Sequence, residues 1–142
     1  RESREPAGVH CRDADDQLFV PGSILKLRLD PSKPLAYGMT PETAAFFAFS
    51  SAFEGVPARG PATGHAGDPV SSAGFDTIAH YGSRDLLLSG WLEGEEIIAG
   101  RAAVVQATVG TGHVVLLGFP VQHRGQSHAT FRLLFNAILS AL

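Results

Sequence analysis

The sequence predicts an α/β sandwich, and three of its segments carry that prediction. "SILKLRLD" alternates Leu25, Leu27 and Leu29 with Lys26 and Arg28, the two-residue period of a strand with one wet face. "RAAVVQATVGTGHVVLLGF" holds two apolar, β-branched runs joined by Gly110, Thr111 and Gly112, the composition of a tight hairpin. The last segment sets Phe131, Leu134, Phe135, Ile138, Leu139 and Leu142 at offsets of three, four, seven, eight and eleven, one apolar stripe on an amphipathic helix. With 142 residues, 44% of them apolar, the chain is long enough for one domain with a real core.

Taken in order, residues 1–16 are charged and irregular, with Pro6, Gly8 and the acids Asp13, Asp15 and Asp16, and read as a linker or arm. The domain then occupies residues 17–142. Its first strand is expected at 24–30. After the turn-rich "PSKPLAYGM", Thr40 reads as a helix N-cap with Pro41 at the first helical position, so a short helical turn is expected. "AAFFAF" is open between that turn and a strand. From Gly55 to Gly74 the composition is Gly, Pro, Ala and Ser, a loop long for a compact domain. "FDTIAHY" and "DLLLSGW" read as short strands or as a strand followed by a turn, and "EGEEII" as an exposed acidic corner. Val114 to Leu117 lacks polar alternation, which predicts a central strand buried on both faces. Ser127 is placed to cap the final helix. This count leaves the sheet one helix too few, so self-association is expected to cover the open face.

Composition excludes several classes of function. A formal charge of −3 with no long Lys/Arg run offers no footprint for a nucleic-acid backbone. No stretch reaches the roughly 18–20 apolar residues of a membrane-spanning helix, and "RESREPAGVH" has no apolar signal-peptide core. Cys11 is the single cysteine, so no internal disulfide forms and the redox compartment is not legible. Neither Cys11 in "VHCRD" nor Ser89 in "LLSGW" has the glycine framing of a nucleophile elbow. "VGTGH" lies between two strands, a hairpin turn with no helix N-terminus to hold a phosphate. Glu93, Glu95 and Glu96 read as a solvated turn.

One segment remains, "GFPVQHRGQSH", where a buried run hands over to the helix. A structural reading has Arg124 and Gln126 donating to carbonyls at the sheet edge, Gly125 at positive φ and Ser127 as cap. A functional reading makes Gln122, His123, Arg124, Gln126 and His128 a polar patch recognising an anionic group near a helix N-terminus. His123 and His128 could act as metal ligands only if the loop folds them together. His10, His65, His80 and His113 are scattered, and neither H-x-x-E nor H-E-x-x-H occurs.

"FVPGSILKLRLDPSKPLAYGM", "LLLSGWLEGEEIIAGRAAVV" and "GTGHVVLLGFPVQHRGQSHATFRLLFNAIL" together resemble the C-terminal region of large bacterial zinc carboxypeptidase-like proteins. In that group a metallopeptidase domain is followed, far downstream, by a domain similar to class I glutamine amidotransferases. The resemblance spans Leu18 to Leu142. It implies a flavodoxin-like, glutamine amidotransferase-like sandwich that is incomplete, because the parallel strands and helices that open such a domain would precede "FVPGSIL". It also implies that zinc and peptide hydrolysis reside upstream, that this chain holds no cofactor, and that the upstream peptidase domain is its partner. A secreted or periplasmic location follows if the parent resembles exported carboxypeptidases. The expected role is therefore a non-catalytic accessory or interaction domain. The alternative is a small-molecule or carbohydrate binding module, or a degenerate amidotransferase-like hydrolase, using the Gln122–His128 loop.

Overall fold

The computed structural model describes residues 10–11, 18–54 and 74–140. Eight strands run as β1 (His10–Cys11), β2 (Ser23–Leu29), β3 (Glu42–Phe47), β4 (Phe53–Glu54), β5 (Gly74–Tyr81), β6 (Leu87–Ser89), β7 (Ala102–Val109) and β8 (Gly112–Leu117). Two helices, α1 (Glu95–Ile98) and α2 (His128–Leu139), and 3-10 turns at Pro34–Ala36 and His123–Gly125 complete the described elements. The strands form one sheet in the order β1-β4-β7-β5-β2-β3, with β6 beside β2 and β8 beside β7.

Strand β2 follows its alternation: Leu25, Leu27 and Leu29 are buried, while Ile24, Lys26 and Arg28 face the other side. Its partner β3 runs antiparallel from Ser23↔Phe47 to Arg28↔Glu42. Ala45 and Phe47 join the core, so Ala44 and Phe46 project from the same side as Ile24. The helical turn expected after Thr40 is therefore a strand. Thr40 Oγ1 donates to the Glu42 carbonyl, and the Pro41 carbonyl accepts from Leu29 N–H at 2.8 Å. Pairing with β2 outweighs a local capping signal, as tertiary context commonly does.

Every pairing among the described strands is antiparallel. The chain is thus sheet-rich and broadly α/β, whereas a flavodoxin-like sheet is wound from parallel strands and helical crossovers. In the expected arm, His10 and Cys11 pair with Glu54 and Phe53, and the rest of that arm lies outside the described residues. So does the expected loop from Gly55, up to Gly74, which opens β5. The acidic corner is the one-turn helix α1, with Ile98 buried beneath it.

The hairpin closes at Val109↔Gly112 around Gly110 and Thr111, with Gly110 at φ +59°, the positive φ that a two-residue hairpin turn requires. The expected centre of the sheet is displaced by one strand. Val104 and Val105 of β7 are fully buried, and β7 lies between β5 on one side and β4 and β8 on the other. By contrast β8 pairs only with β7 among the described strands, and Val114 is 47% exposed. An unbroken apolar run marks a strand but does not say which of two such runs is central.

Helix α2 packs on the Pro34–Ala36 turn and β3. The Asn136 side-chain amide donates to the Leu35 and Tyr37 carbonyls at 2.9 and 3.0 Å. That anchor sets the helix rotation. Thr130 and Leu133 are buried, with Leu134 and Ala137 half-buried against the core. The expected stripe is only partly inward: Phe135, Ile138 and Leu139 are 55–65% exposed. Leu142 lies outside the described residues.

Candidate functional site

The junction between β8 and α2 starts at a glycine with no room for a side chain. Gly118 N–H donates to the Ala103 carbonyl at 2.9 Å, and the Gly118 carbonyl accepts from Ser51 N–H at 2.7 Å. A Cβ at Gly118 would press into the Ser51 and Ala103 carbonyl oxygens and the Phe53 ring. Beyond it, Phe119 and Val121 are buried, and the chain turns through Gly125 at φ +68° into α2.

Ser127 makes no side-chain cap bond, contrary to expectation. Thr130 instead fixes the start of the helix through carbonyl groups. Its Oγ1 lies 2.7 Å from the Val121 carbonyl and 2.9 Å from the Ser127 carbonyl, so one hydroxyl ties the first helical turn to the strand exit. His128 Nε2 lies 2.8 Å from the Gly125 carbonyl oxygen. A carbonyl only accepts, so Nε2 carries the proton of this bond.

This junction walls a groove of about 1210 Å³. Its apolar lining comes from Ile24, Ala44 and Phe46, on the face of β2 and β3 opposite the core, and from Leu117 and Phe119. His123 lies over this lining, its ring stacked on Phe46 with centroids 3.9 Å apart and planes at 24°. Phe49 stands beside it, fully exposed. Arg124, Gln126, Ser127 and His128 supply the polar rim. The ionisable groups lining the groove are His123, Arg124 and His128, and no described carboxylate lines it. In a chain of net charge −3 this is a local reversal of sign.

Four of the five residues expected to form a site, His123, Arg124, Gln126 and His128, line this groove, and the fifth, Gln122, is exposed and does not. The expected bonds from the Arg124 and Gln126 side chains to sheet-edge carbonyls are not among those the described residues make, and both side chains are exposed. As for metal, His123 is stacked and His128 is hydrogen-bonded to backbone, and no group of three or more His, Cys, Asp or Glu gathers among the described residues. Phe46, Phe49 and Thr130 were missed by sequence reasoning. The two phenylalanines sit more than seventy positions upstream; the β2–β3 register turns Phe46 to this face, and Phe49 follows just beyond the end of β3. Thr130 was legible in principle, since a threonine in a first helical turn can bond back to a carbonyl three residues earlier.

No described helix is long and apolar enough to cross a membrane. No protein-family model, curated protein or solved structure matches the chain.

Proposed function

We propose that the chain is a non-catalytic interaction domain of a larger protein, working by binding a ligand in the groove between the β2–β3 face and the β8–α2 junction. The observation that carries this reading is the His123–Phe46 stack set beside the exposed Arg124 in one concave, carboxylate-free surface. Concave sites with an apolar floor and a few convergent polar groups are the usual form of ligand pockets. Under this reading, as under the resemblance to zinc carboxypeptidase-like proteins, zinc and peptide hydrolysis belong to an upstream domain. The antiparallel strands described above would then be the later half of an amidotransferase-like sheet whose parallel strands precede this chain.

The test separates packing from binding. His123→Ala removes a stacked ring and should cost about 0.5–1.5 kcal/mol. Arg124→Ala removes an exposed side chain and should leave stability within about 0.5 kcal/mol while abolishing a ligand-induced rise in melting temperature. If Arg124→Ala lowers stability as much as His123→Ala and ligand-induced shifts persist, the loop is structural and the reading fails.

A second reading rests on the outward Phe135, Ile138 and Leu139 of α2. These form an apolar face through which the domain would pack on its upstream neighbour or on a second copy.

A further inference from the structure

Among the described residues three without glycine's freedom have positive φ: Phe49 at +49°, Asp85 at +54° and Arg124 at +48°. Two of the three, Phe49 and Arg124, line the same groove from distant parts of the chain. The left-handed region is disfavoured for any residue with a Cβ, and such strain persists only where the surroundings impose it. At Phe49 the neighbouring residues do so: Ala48 N–H donates to Ser50 Oγ at 3.1 Å, and that hydroxyl donates back to the Ala48 carbonyl at 3.0 Å. The phenyl ring gains no burial in return, being fully exposed. Arg124 likewise holds its exposed guanidinium at the groove, where no described carboxylate meets it.

The Phe46–His123 stack lines the same groove and offers it an aromatic surface. We propose that Phe49 and Arg124 are held in left-handed backbone positions as the two jaws of a receptor for a planar aromatic carboxylate. The ring of such a ligand matches this aromatic surface and the Phe49 wall, since aromatic faces favour offset or edge contacts with one another. Its carboxylate matches one guanidinium, whose planar fork donates two parallel hydrogen bonds to two oxygens. This inference rests on the groove reading above and adds to it the ligand's charge and shape.

The experiment uses the full chain and three probes: 2-naphthoate, its neutral analogue 2-naphthamide, and the non-planar decahydronaphthalene-2-carboxylate. Calorimetric titration should show 2-naphthoate binding at least about tenfold more tightly than either analogue, a ratio that one charge-assisted contact can supply. Phe49→Gly and Arg124→Gly relieve the backbone strain, so both should melt at or above the parent temperature while losing about tenfold or more in 2-naphthoate affinity. Equal binding of the acid and the amide overturns the proposal while leaving the groove reading intact. Parent-like 2-naphthoate affinity in either glycine variant overturns it, as does a lower melting temperature in both. So does a failure of all three probes, while binding of other compounds at the groove decides the broader reading independently.

Discussion

Thr130 has no exposed surface, yet its hydroxyl joins two segments by lying within hydrogen-bond reach of the Val121 and Ser127 carbonyls. Thr130→Val keeps the shape and deletes the hydroxyl, leaving a buried acceptor without its donor, a change that costs about 1–3 kcal/mol. Urea denaturation of the variant should show that loss at an unchanged slope, and a change below about 0.5 kcal/mol would mean that the hydroxyl does not hold the junction. Single residues were the least legible scale in the sequence. The place of Gly125 in the turn is enough to indicate its positive φ, whereas Ser127 has the type and position of a cap and makes no cap bond. Whether a serine caps or a nearby threonine bonds instead depends on the path of the chain into the helix, and Val121 sets that path. Ser23 makes the same point: it is 2% exposed, and its Oγ bonds both the carbonyl and the N–H of Trp91 across a gap in sequence that no local pattern spans.

Among the elements, strand β7 organises the sheet. Its small residues, Ala102, Ala103 and Ala107, are buried beside Val104 and Val105. The hairpin was legible, because apolar β-branched runs flanking a glycine-bearing turn have few other solutions. The depth of its two strands was not, because both runs are apolar and burial on the second face is decided by neighbours distant in sequence. The contrast is measurable: Val104→Ala should cost about 2 kcal/mol, as deletion of buried methyl groups does, and Val114→Ala under about 0.5 kcal/mol. Equal losses would restore β8 to the centre of the sheet. The β3 segment shows the complementary case, where a sound helix-start signal at Thr40 and Pro41 yields to the six-residue pairing of Glu42–Phe47 with β2. That pairing also creates the candidate site, because it turns Ala44 and Phe46 to the groove side.

At the scale of the molecule, the broad α/β composition was legible from pattern counts. Among the described residues α2 is the one helix longer than a turn, and its outward side keeps Phe135, Ile138 and Leu139 in water. The direction of one pair was legible, because a tight hairpin makes β7 and β8 antiparallel; strands paired across long stretches of sequence carry no such local signal. If the α2 face is an interface between copies, sedimentation velocity should show a concentration-dependent dimer that Ile138→Glu combined with Leu139→Glu returns to monomer with helix content retained. A parent chain that stays monomeric at every concentration contradicts that second reading and leaves the groove reading untouched. The groove itself is tested most directly by amide chemical-shift mapping of the full chain against a set of small aromatic and anionic fragments. The account predicts that binders shift the amides of Phe46, Phe49, His123 and Arg124 together, from two chain segments at once. Binders that shift only other surfaces, or a fragment set that leaves those four amides in place, would contradict it.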